Sequence, residues 1–250
     1  MRQRRNHIAG FLCAFVAWSP AVRAEAPAAA RAPARTVEQI LADHAAALGG
    51  EAPWKGKRSL KRLQDVSVVA QGISGSSEEV LTSKGQSLAL LTIPGVGLLR
   101  IGNDGKRCWS HDPINGLRVL VGVEAEQARL QNTWKADLRL GELYKSIKVV
   151  PAAGAPGEEC LELTPAEGKP SVQCFDATTH LPTTIRGIAA SPQGESPFVA
   201  RVSDWRDVGG MKVPHRQELV SGPATIVFTL KSLTWNVPTP ARLFALPKGK

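Results

Sequence analysis

The chain of 250 residues has no apolar run long enough to cross a bilayer as a helix, which takes about 20 residues. Gly-x-Ser-x-Gly is missing, as are His-Glu-x-x-His, the Walker A loop and the β-lactamase signatures. These absences remove the catalytic centres that a local motif announces. A hydrolase assembled from distant residues stays open, because fold does not fix function. The chain has only four cysteines, no Cys-x-x-Cys and no closely spaced His pair, so no metal site is expected. No cofactor is expected either. Gly95-Val96-Gly97 is a fragment of a dinucleotide loop whose later glycine is replaced by Arg100, and it reads as a bend between strands. A basic stripe interleaved with aromatics is also lacking. The one dense run, Lys55-Gly56-Lys57-Arg58 with Lys61-Arg62, has only Trp54 beside it for stacking. It reads as a solvated turn, and nucleic acid is not an expected partner.

What is present begins with an export signal. Arg2, Arg4 and Arg5 precede an uncharged, mostly apolar run from Ile8 to Trp18. Pro20 then breaks the run, and Val22-Arg23-Ala24 supplies a cleavage site. Residues 1–24 therefore read as a cleavable signal peptide. Asn6-His7-Ile8 after Arg4-Arg5 does not strengthen a twin-arginine signal, so the general secretory route is expected. Cys13 lies inside the apolar run behind Gly10-Phe11-Leu12, which is no lipidation pattern, and is expected to leave with the signal. The precursor's formal charge of +9 loses the four arginines at 2, 4, 5 and 23, leaving a mildly basic +5. A periplasmic or secreted location follows, with no transmembrane segment in the mature chain.

Residues 25–35 form an Ala/Pro-rich leader. Residues 36–250 read as a single domain. Thr36 and Gln39 fit a capping box, Val37, Ile40, Leu41, His44, Ala45 and Leu48 make an apolar stripe, and Gly49-Gly50 stop the helix. From Leu63 onward the apolar period becomes two. A second amphipathic helix is predicted over Glu124–Leu138, with Leu130, Trp134 and Leu138 on one side. The strand pattern then resumes from Ile147. About eleven strands are expected in one antiparallel sheet, mainly β with helices. A sheet of that length must curl, and the two helices are the available cover. The expected fold is a curved antiparallel half-barrel of about eleven strands under a helical lid. Its apolar cavity would be lined by Val66, Val68, Leu88, Leu90, Ile226, Phe228 and Leu230, with Trp134 of the lid nearest a ligand. Strand periodicity does not distinguish an open cavity from a filled core.

Oxidising export permits cysteine pairing. If the hairpin between Cys160 and Cys174 turns about Glu167, the two cysteines face each other across it, and a disulfide is predicted. Cys108 is then left as a buried thiol. His44 reads as a packing residue, and His180 and His215 stand alone in sequence. Asp112 in His111-Asp112 reads as a turn cap, since strand neighbours point to opposite faces.

Several segments together resemble a known family. They are Ala47-Leu48-Gly49-Gly50, Asp104-Gly105-Lys106 running into Trp109, and Phe175-Asp176-Ala177-Thr178-Thr179-His180-Leu181-Pro182. Trp205-Arg206-Asp207-Val208-Gly209-Gly210-Met211-Lys212-Val213-Pro214, Thr234-Trp235-Asn236 and Leu243-Phe244-Ala245-Leu246-Pro247 complete the set. Over roughly residues 36–247 the chain resembles bacterial exported proteins of the outer-membrane lipoprotein-sorting (Lol) type. The resemblance implies a half-barrel that shields an acyl chain or other lipid-like ligand. It also implies a functional arginine within the cavity; Arg100 and Arg186 are strand arginines, and no motif assigns that role to either. The expectation is a monomeric, non-enzymatic carrier. Its alternatives are an envelope-assembly module that binds a protein partner, and a hydrolase.

Overall fold

The computed structural model describes residues 35–152 and 156–247. The expected signal peptide and nearly all of the expected leader lie outside the described residues. The exception is Arg35, which pairs with Asp43 and, at 2.6 Å, with Glu159.

Helix α1 spans Val37–Ala47 and starts at the Thr36–Gln39 capping box. Strands β1 (Ser59–Val68), β2 (Ile73–Thr82), β3 (Ser87–Ile93), β4 (Gly97–Asn103), β5 (Cys108–Asp112) and β6 (Gly116–Val119) follow. Helices α2 (Gly122–Gln131) and α3 (Leu140–Leu143) interrupt the sheet. It resumes with β7 (Ser146–Val150), β8 (Glu158–Thr164), β9 (Ser171–Asp176), β10 (Pro182–Ser191), β11 (Gly194–Val208), β12 (Met211–Ser221) and β13 (Ala224–Trp235). All thirteen form one antiparallel sheet, ordered β6-β5-β4-β3-β2-β1-β13-β12-β11-β10-β9-β8-β7. The sheet is unclosed and curls into a half-barrel. Residue 75 shows how tightly it bends. A Cβ there would lie 2.2 Å from the Thr92 carbonyl oxygen, so only glycine admits β3 so close to β2.

Two differences from the expected elements have local causes. The strand count rises to thirteen, helped by the short edge strand β6, whose four residues carry too little pattern to be read alone. The second helix stops at Gln131 rather than Leu138. Asn132 Nδ2 donates to the Ala128 carbonyl and Thr133 Oγ1 to the Arg129 carbonyl, and Lys135 adopts a left-handed φ of 56°. Trp134 therefore sits in the turn beyond α2, not on the helix.

The register defines two faces. Leu161, Gln173, Ile185, Ala200, Leu219, Ile226 and Val68 stand in one row across seven strands and share the concave face. Helix α1 covers one end of this face, with Ile40 against Leu161, Leu163 and Phe175. Helix α2 covers the other, with Ala128 against Cys108 and Leu120, and it also touches β10. The outer face of β2–β5 has its own core. Val80, Leu88 and Trp109 pack there against Phe244, with Val237, Leu243 and Leu246 around them. The C-terminal segment is thus a strap on the convex side.

The predicted bridge is present. Cys160 and Cys174 are directly paired across β8 and β9 and are disulfide-bonded, while Cys108 is free and buried. Asp104, Asp112 and Asp176 cap their turns. Each accepts hydrogen bonds from two backbone N–H groups two and three residues ahead.

Candidate functional site: the concave face

The open part of the concave face lies between the two helices. On β1 and β13, Val66 stands opposite Phe228, Val68 opposite Ile226 and Gln64 opposite Leu230. The register thereby brings five of the expected lining residues together. Val66 and Leu230 are buried, whereas Val68, Ile226 and Phe228 keep part of their surface in solvent. The wall extends onto β2 and β12 through Ile73 and Leu219, also half-buried.

Leu88 and Leu90 are corrections. The β2–β3 register pairs Ser77 with Leu91 and Glu79 with Ala89 on the concave face. Leu88 and Leu90 therefore point outward, where they join Trp109 and Phe244 under the C-terminal strap. A strand covered on both faces is apolar at successive positions, so Leu88-Ala89-Leu90-Leu91 carries no sign of which alternate pair faces inward.

Along the face, toward the N-terminal end of β1, the polarity changes. Arg62 on β1 pairs with Glu79 on β2 at 2.9 Å, and its Nε is buried with no hydrogen-bond partner among the described residues. Beyond it, Trp235 stands opposite Leu60. Trp235, Trp54 and Trp134 pack edge to face, with ring centroids 5.2 to 6.3 Å apart. Lys57 Nζ lies 5.0 Å over the Trp235 ring and Lys135 Nζ 5.7 Å from Trp54. Trp134 thus belongs to an aromatic plug at one end of the groove. Nine residues separate Ile226 from Trp235 on the same strand, roughly 30 Å at strand rise. Arg100 pairs with Leu90 and His111, and Arg186 sits in the same outward row as Cys174. Both lie on the outer face. Arg62, which sequence reasoning passed over as part of a basic run, faces the groove, and Arg118 on β6 shares the concave face, paired with Glu124 of α2 at 2.9 Å.

His44 is fully buried on α1. Its ring packs 4.7 Å from Phe175, and Nδ1 lies 3.1 Å from the His180 carbonyl. Burial holds its pKa below the ordinary histidine value, opposed by the Asp137 carboxylate and the His180 carbonyl. The unfolded chain therefore takes up a proton at higher pH than the folded one. Stability is expected to fall as the pH drops below about 6.5, and His44→Gln is expected to flatten that part of the curve. Denaturant titrations from about pH 7.5 to 5.5 measure it.

No protein-family model matches the chain, and no curated protein matches it in sequence. Solved structures do match in fold. A LolA superfamily protein from Nitrosomonas europaea superposes with a TM-score of 0.55 at 15% identity, over 85% of this chain and 98% of that one. The fold is LolA-type. An outer membrane lipoprotein-sorting protein domain from Vibrio parahaemolyticus gives a TM-score of 0.52 at 10% identity, covering 83% and 96% of the two chains. A DUF1329 family protein from Desulfovibrio piger gives 0.54 at 12% identity, covering 85% and 98%. The LolA-type half-barrel accounts for the curved sheet and the helices on its concave side. Among the described residues, no helix is long and apolar enough to cross a membrane.

Proposed function

We propose that this chain is an exported, non-enzymatic carrier or binding protein for a lipid-like apolar ligand, such as a lipoprotein acyl chain, held on the concave face. One observation supports the reading above others. Val68, Ile226 and Phe228 form a continuous apolar wall on the inside of a LolA-type half-barrel, yet remain partly open to solvent. An apolar surface so placed gains from a ligand that completes its burial. Roughly micromolar affinity corresponds to about 8 kcal/mol, the gross contribution of about ten buried methylenes. The export signal over residues 1–24 belongs to the same reading, since acyl chains that move through an envelope need shielding from water.

Displacement of a fluorescent fatty acid tests the reading. The mature chain is expected to bind it with roughly micromolar affinity, and Phe228→Asp is expected to weaken binding about tenfold or more. A wild-type chain that takes up no probe overturns the proposal. Native mass spectrometry of protein from the periplasm adds a direct readout, because a retained lipid adds its own mass and cleavage after Ala24 sets the mass of the chain.

A further inference from the structure

The two ends of the half-barrel differ in charge. At the end carrying the tryptophan plug, Lys55, Lys57, Arg58, Lys84 and Lys106 project with no ion pair among the described residues. At the other end, five of the six hairpin turns contain no charged residue; the sixth, residues 165–170 between β8 and β9, carries Glu167 and Lys169, and Lys169 pairs with Glu195. The five are residues 69–72, 94–96, 113–115, 192–193 and 222–223. Three of them hold out large apolar side chains: Val69 is 54% exposed, Val96 45% and Ile114 79%. Prolines 94, 113, 192 and 223 occupy the same turns and are exposed.

These turns form a ring. The strand order places 113–115, 94–96, 69–72, 222–223 and 192–193 in succession around the curved sheet. Pro113 sits against Gly97, so close that a Cβ there would lie 2.7 Å from its Cγ. Gln193 Nε2 donates to Asn115 Oδ1 at 2.9 Å, which joins the 192–193 turn to the 113–115 turn and closes the five into a ring; the charged 165–170 turn is not among them. The apolar wall begins just inside the ring, at Val68, Ile73 and Ile226. Asp112 next to Ile114 is turned back to cap its own turn, accepting from the Ile114 and Asn115 N–H groups.

We infer that this uncharged ring is the portal of the groove and docks into the surface layer of a lipid bilayer. The inference rests on the lipid-carrier reading. Turn tips without charges enter the interfacial layer without stripping water from an ion, and apolar tips gain by doing so. A water-facing role leaves five turns free to carry lysine, glutamate or aspartate, as the opposite end does. An acyl chain passing through the ring then moves between bilayer and groove without meeting bulk water.

The test is co-sedimentation with phosphatidylcholine vesicles, alone and with phosphatidylglycerol added. The full mature chain is expected to bind pure phosphatidylcholine vesicles equally at low and high salt. V69D/V96D/I114D, altered only at exposed turn positions, is expected to lose about tenfold or more of that binding. The same variant is expected to keep its melting temperature. No binding to phosphatidylcholine vesicles overturns the inference. So does binding that requires phosphatidylglycerol, falls with salt and disappears in K55E/K57E/R58E, because the membrane then meets the cationic end. So does a triple aspartate variant that binds vesicles as well as wild type. Failure of the carrier reading shows itself separately, as a wild-type chain that takes up no fatty acid.

Discussion

Trp109→Ala is expected to lower the free energy of unfolding by about 3–5 kcal/mol. Trp109 is 2% exposed and lies on the outer face among Val80, Leu88 and Phe244. Its indole Nε1 donates to the Phe244 carbonyl at 3.1 Å, tying the C-terminal strap to the sheet. The ring lies over Gly102, its partner on β4, where a Cβ would come within 2.3 Å of the indole. With glycine on one side and the strap on the other, little can collapse into the space left by alanine. The truncation thus loses the burial of the ring, opens a cavity and releases the strap. Urea unfolding measures the loss, and proteolysis of the variant is expected to cut first between Asn236 and Leu246. A loss under about 1 kcal/mol contradicts the assignment of this residue as the centre of the outer core.

Exchange of both Cys160 and Cys174 for alanine is expected to cost about 3 kcal/mol. The bridge joins residues 14 apart in sequence, and both cysteines are buried, at 1% and 0% exposure. A loop of that size restricts the unfolded chain by about 3 kcal/mol in the loop-entropy view. The m-value is expected to rise with the loss of the bridge, since the unfolded state becomes less compact. Wild type in strong reductant should approach the variant. An unchanged midpoint would show that the β8–β9 pairing and its cover by α1 suffice alone. The β8–β9 strands carry Leu161, Leu163 and Phe175, on which α1 docks, so loosening the hairpin should also free His44 to titrate near its ordinary value.

Much of the fold was legible because the signals are local. Asp104-Gly105, Asp112 and Asp176 mark turns by hydrogen bonds within three residues, and Thr36 with Gln39 caps α1 by contacts of the same span. The Cys160–Cys174 pairing followed from counting outward from one turn, because hairpin register is set by its loop. The number and curl of the strands followed from turn spacing, within two strands of the observed thirteen.

The composition of the site depended on tertiary structure. Val66, Val68, Ile226, Phe228 and Leu230 were assigned to the groove from alternation alone, and the β1–β13 register sets them on one face. Leu88 and Leu90 were assigned by the same rule and lie on the other, because the C-terminal strap gives β3 a second apolar side. Nothing near Leu88 in sequence records that Phe244 will pack against it. Arg62 entered the groove, and Arg100 and Arg186 left it, through pairing between strands distant in the chain. By itself the sequence determined a long antiparallel sheet, its turns and one disulfide, each a consequence of neighbouring residues. Which face each strand shows to the groove, and which turns gather at each end, was decided only when thirteen strands found their order. Side-chain direction alternates every residue, so a face is settled by the partner strand and by whatever covers it.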